Sequence, residues 1–112
     1  SLDTLIDKNK LYKSINIQYQ NFSIIPNRAF INLSINYLNL NKNNINKLEI
    51  NAFESIVYLN KLSFYGNFIS DLEFLIFLTN LAELILSENQ IEVIKNYSFS
   101  SLIKPVSYTH LT

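Results

Sequence analysis

The chain has 112 residues, 48% of them hydrophobic, enough for one domain with a substantial core and too apolar for disorder. Nine basic and nine acidic residues balance to zero, which disfavours a purely electrostatic nucleic-acid or membrane-surface binder. No run of about 18 apolar residues is present to span a bilayer, and without cysteine there is no disulfide or thiolate metal site.

The sequence starts at Ser1 with no signal-peptide pattern and reads as a piece of a longer product. Asparagine is abundant and, with Ile, Lys, Tyr and Phe, reflects A/T-rich codon usage. Glycine occurs once and proline twice, so something other than these two residues must set the turns.

In chain order, residues 1–11 (SLDTLIDKNKL) place Leu2, Leu5 and Ile6 at helical spacing. They are an improvised cap over the first strand or the tail of an upstream unit. From Tyr12 the chain repeats the frame L-x-x-L-x-L-x-x-N-x-I-x-x-I, followed by F-x-x-L. Units begin at Tyr12, Ile35, Leu59 and Leu81, spaced by 23, 24 and 22 residues, giving four repeats over 12–34, 35–58, 59–80 and 81–104. The strand columns pair Ile15 with Ile17, Leu38 with Leu40, Leu62 with Phe64 and Leu84 with Leu86. Each pair alternates with other residues, as a short strand with one buried face does. The later apolar columns are Phe22, Ile45, Ile69, Ile91 and then Ile25, Leu48, Leu72, Ile94. The back of each unit carries Phe30, Phe53, Leu75, Phe99 and Leu33, Ile56, Leu78, Leu102, with a two-residue deletion in the third unit.

One column is polar in all four units: Gln20, Asn43, Asn67 and Asn89. It lies where each strand turns inward, and an Asn side chain there can donate to and accept from backbone groups the turn leaves unpaired. Gln20, with its longer arm, marks the first unit as irregular. Gly66 precedes Asn67 and suits a positive-φ turn or a close backbone approach. Tyr19, Lys42 and Glu88 hold the equivalent places, so glycine is permitted there and not required.

Through stretches such as LNLNKNNINKL (38–48) and LILSENQIEVI (84–94), the chain resembles the leucine-rich repeat family over residues 12–104. The resemblance implies an α/β fold: a leucine-rich repeat solenoid, a horseshoe arc with short parallel strands on its concave face and short helical or irregular segments on its convex face. The first, second and fourth units, through stretches such as SIIPNRAFINL (23–33) and KLEINAFESI (47–56), resemble the Phe-bearing "typical" class of extracellular and cell-surface proteins. The shorter third unit, NFISDLEFLIFLTNL (67–81), resembles the class of cytoplasmic phosphatase regulators. The family's usual end caps are missing, which reads as the middle of a larger solenoid.

The resemblance further implies a scaffold that binds another protein through the concave sheet, within a secreted or cell-surface recognition protein. The alternative is an intracellular, cytoplasmic adaptor or regulatory subunit of a phosphatase or similar enzyme. Ser14, Asn16 and Gln18 alternate with the buried residues of the first strand. The candidate partner-binding residues are Tyr19, Tyr37, Asn39, Asn41, Lys42, Lys61, Ser63, Tyr65, Glu83, Ile85, Ser87 and Glu88. The tyrosines offer flat amphipathic area of the kind enriched at interface hot spots.

Three N-x-S sequons make Asn21, Asn32 and Asn96 possible glycosylation sites, although an Asn-rich chain generates such triplets by chance. His110 has no acid or nucleophile at motif spacing, and no phosphate loop, HExxH or paired carboxylate occurs. No catalysis, cofactor or metal is expected, and no nucleic acid or membrane contact. Residues 105–112 (PVSYTHLT) resemble a translated sequencing-library adapter, a non-native tail; the alternative is a degenerate fifth repeat.

Overall fold

A computed structural model describes residues 14–31, 33–89 and 107–109. The sequence readings for residues 1–11, Asn32, Asn96, Phe99, Leu102 and His110 fall outside them.

Strands β1 (Ser14–Asn16), β2 (Ile24–Ile25), β3 (Tyr37–Asn39), β4 (Lys47–Leu48), β5 (Lys61–Ser63), β6 (Glu83–Ile85) and β7 (Ser107–Thr109) form two parallel sheets. The larger has the order β1-β3-β5-β6-β7, and the smaller joins β2 to β4. In the larger sheet Ile15, Leu38, Leu62, Leu84 and Tyr108 are successive partners, so neighbouring strands recur at the sequence period of the units. Strands this short cannot bury an apolar face alone; each gains its cover from the next. β7 continues the register within residues 105–112, with Tyr108 opposite Leu84, where a fifth unit would place its strand.

The core follows the columns. Ile15, Ile17, Leu38, Leu40, Leu62, Phe64, Leu84 and Leu86 point in from the larger sheet and are buried. Ile35, Leu59 and Leu81 are buried with them, as are Ile25, Ile45, Ile69 and Leu72. Phe22 and Leu48 are only partly buried against it.

Two features depart from the sequence reading. The segment after each amide was expected to be helical or irregular, yet β2 and β4 pair there, with Ile24 opposite Lys47 and Ile25 opposite Leu48. Asn46 and Lys47 both donate backbone N–H groups to Ser23 O, at 2.9 and 3.2 Å, and Glu49 donates to Ile25 O at 3.0 Å. The first two units both run five residues from this column to the back phenylalanine, Ile25 to Phe30 and Leu48 to Phe53, so their backbones stay in register and the turns satisfy their polar groups across units. In the third unit the phenylalanine of the back is Phe74, one residue ahead of the column position Leu75, and both are buried. A 3-10 helix over Glu73–Phe77 makes this possible. Its tighter winding turns Phe74 toward Phe53, with ring centroids 5.2 Å apart, and so offsets the deletion.

Candidate functional site

The buried side of the larger sheet is held by an amide ladder. Asn43 Nδ2 donates to Ile17 O of the preceding unit at 2.8 Å and to Leu40 O of its own at 3.1 Å, while its Oδ1 accepts from the N–H groups of Gln20 and Asn21. Asn67 does the same one unit on, donating to Leu40 O and Phe64 O and accepting from Asn43 N and Ile45 N. Asn89 donates to Phe64 O and Leu86 O and accepts from Ile69 N. These three rungs are buried. Gln20, expected as a fourth, is exposed and donates Nε2 to Gln18 O at 3.2 Å. Asn43, Asn67 and Asn89 make the same bond to the carbonyl two residues back; the unit that would precede Gln20 lies outside the described residues.

The sheet's opposite, solvent face carries the candidate binding residues in rows set by the register. Ser14, Tyr37, Lys61 and Glu83 form one row; Asn16, Asn39, Ser63 and Ile85 form the next. Lys61 Nζ lies 4.9 Å from the Tyr37 ring centroid and 3.7 Å from Glu83 Oε1. Lys42 Nζ lies 4.8 Å from the centroid of Tyr65. Each cation–π pair bridges the second and third units. The sequence treats the two lysines alike, but only Lys61 has an ion-pair partner among the described residues.

Two expected binding residues are not available for contact. Asn39 and Ser63 are buried, lying in the row between the Lys–Tyr pairs. Their polar atoms turn to the backbone and to Asn41. Asn39 Oδ1 accepts from Asn41 N at 2.9 Å, and Asn41 Oδ1 accepts from Ser63 Oγ at 2.6 Å and from Tyr65 N at 2.8 Å. Half-buried Asn41 is therefore a brace of this face more than a free contact. Tyr19, Lys42, Tyr65 and Glu88 are exposed, and Tyr37, Lys61, Glu83, Ile85 and Ser87 are half-buried. Tyr19, at 70% exposed, offers the most apolar area on this face. Of the sequons only Asn21 is described; it is exposed, and its Oδ1 accepts from Asn44 Nδ2 at 2.7 Å.

The turn before each amide is left-handed in every unit, with φ of 60° at Tyr19, 56° at Lys42, 71° at Gly66 and 60° at Glu88. Three non-glycine residues tolerate that backbone, so strain alone does not explain Gly66. A Cβ on Gly66 would come within 2.6 Å of Lys42 Cδ and 2.7 Å of its Cε. Glycine clears the path along which the Lys42 stem reaches Tyr65. Gly66→Ala is expected to cost about 1–2 kcal/mol through backbone strain and to detach Lys42 from the ring. Chemical denaturation and the chemical shifts of the Lys42 side chain check this. Unchanged Lys42 shifts would refute the packing explanation. The converse, Glu88→Gly, is expected to stabilise by about 0.5–1 kcal/mol, because the left-handed turn then carries no Cβ penalty; the denaturation midpoint reads it.

Among the described residues no group of three or more His, Cys, Asp or Glu could hold a metal ion, and no helix is long and apolar enough to cross a membrane. No family model matches the chain, and no curated protein matches it.

Proposed function

We propose that the chain is a leucine-rich-repeat-type solenoid of four units that binds a protein partner through the solvent face of the larger sheet, and that it catalyses nothing itself. The observation that carries this reading is the cross-unit alignment of Tyr37 with Lys61 and of Lys42 with Tyr65. Such a surface holds aromatic and cationic groups in fixed positions, so little side-chain entropy is lost when a partner docks. Tyrosine beside a cation suits a protein surface of mixed polarity better than a small apolar ligand.

The Phe-bearing first and second units favour a segment of a secreted or cell-surface recognition protein. Phe30 and Phe53, the residues that define that class of unit, stack with centroids 5.4 Å apart. A second reading, a regulatory subunit or adaptor inside the cell, rests on the short third unit with its 3-10 helix.

The test is selection of a partner from a displayed library of extracellular domains, followed by substitution on both sides of the sheet. Tyr65→Ala and Lys42→Ala are each expected to weaken binding about tenfold, as hot-spot residues do. Ile24→Ser, at an exposed position off this face, should leave it unchanged. A partner indifferent to Tyr65 and Lys42 but sensitive to Ile24 would overturn the assignment of the face.

A further inference from the structure

The smaller sheet stops at β4 because the third unit is short. By the amide frame, Ser70, Asp71 and Glu73 are the counterparts of Asn46, Lys47 and Glu49, the residues whose N–H groups pair β4 with the first unit. In the third unit the pairing goes no further than Phe68 N donating to Ile45 O at 2.8 Å. Glu73 N is diverted to Asp71 Oδ1 at 2.9 Å and opens the 3-10 helix. Among the described residues no strand pairs with β4 on the side away from β2.

A groove lies along this edge, lined by Asn46, Leu48, Ile50, Ser70 and Asp71 among others. Lys47 and Glu49 turn their N–H groups toward β2, so the alternation of a parallel strand aims Leu48 N–H and C=O the other way, into the groove. Ile50 beside it is 46% exposed. The two charged residues that line the groove, Asp71 and Glu73, are both acidic.

We propose that this groove is a second binding site, separate from the solvent face of the larger sheet, which takes an extended peptide segment of another protein as a third strand on β4. Main-chain bonds to Leu48 hold the segment, an apolar side chain covers Ile50, and a lysine or arginine meets Asp71. Strand addition of this kind draws affinity from an open sheet edge and specificity from alternate side chains. The acidic lining selects a basic segment over an acidic one.

The experiment is selection of phage-displayed random nonapeptides on the full 112-residue chain. Enriched peptides are expected to alternate β-branched residues and to carry a lysine or arginine. Their synthetic forms should shift the amide resonance of Leu48 and lose binding when proline replaces the central residue. Asp71→Lys should weaken them about tenfold or more, equivalent to about 1.4 kcal/mol. Because Asp71 also starts the helix, Ile50→Lys, at an exposed position, serves as the second variant and should weaken the same peptides. Tyr65→Ala on the other face should not. The proposal is overturned by a selection that enriches nothing, by peptides that bind both groove variants normally, or by peptides that Tyr65→Ala displaces. Pairing of two copies through β4 that excludes the peptides would also overturn it, since the edge then serves self-association.

Discussion

Asn67→Ala is expected to lower stability by about 2 kcal/mol or more, a large effect for a single polar substitution. Its side chain accepts from two buried N–H groups and donates to two buried carbonyls, in two adjacent units. Alanine leaves the two N–H groups without a partner, while Leu40 O and Phe64 O still accept from Asn43 Nδ2 and Asn89 Nδ2; each buried orphan costs about 1–3 kcal/mol. Residual water access reduces the sum, so the lower end is the expectation. The melting temperature should fall by roughly 8–16 °C. Asn67→Asp should fare no better at neutral pH, because it restores the acceptor but points a carboxylate oxygen at Leu40 O and Phe64 O. Urea unfolding of the three proteins measures both. A loss below about 1 kcal/mol for alanine would mean that water replaces the rung.

The second large effect belongs to Phe53. It is fully buried and lies at the centre of the ring cluster, stacked on Phe30 and in contact with Phe64 at 6.1 Å and Phe74 at 5.2 Å. Phe53→Ala opens a cavity that touches three units, and about 3–5 kcal/mol should be lost. Phe53→Leu keeps most of the volume and should lose less than about 1.5 kcal/mol. The pair Phe53→Leu and Phe74→Leu is expected to be non-additive by about 0.5–1.5 kcal/mol, the coupling typical of aromatic contacts. Additivity within error would mean that the 3-10 helix of the third unit packs independently of the second unit. Either result comes from denaturation midpoints at constant slope.

These two predictions concern different joints. The amide rungs tie each strand turn to the unit before it, whereas the phenylalanines tie the backs together. Losing either leaves units that cannot cover their own apolar faces. The half-buried, solvent-accessible Lys61–Glu83 pair, by contrast, spans two units at 3.7 Å and is worth at most about 1 kcal/mol. Its place is to fix Lys61 over Tyr37, which leaves Lys42 as the more open cation of the solvent face.

Much of the interior was legible from the residues alone. Columns of Ile, Leu and Phe at a recurring spacing name the buried positions, since a hydrophobic column is a local pattern that burial alone explains. The recurrent amide is legible for the same reason: a turn that orphans backbone groups recurs with the unit, and so does the side chain that satisfies them. Rung by rung the pattern is weaker. Gln20 is polar and in register yet exposed, and of the rung's bonds it makes, among the described residues, the one to the carbonyl two residues back.

Other features depend on what the next unit brings, and no single stretch encodes that. Alternation places Asn39 and Ser63 on the solvent face, but their burial follows from the Lys–Tyr pairs that the register sets on either side. Gly66 looks like a turn glycine; its role comes from Lys42, a residue 24 positions away that packs across it. The smaller sheet joins the two units that run five residues from the Ile25 and Leu48 column to the back phenylalanine, and it ends at the third, where Leu72 lies three residues from Leu75. The sequence by itself determined which residues are buried and at what period the chain turns, because those are properties of one unit. Which surface positions stay open, and where a sheet edge is left unpaired, was decided by the stacking of one unit on the next.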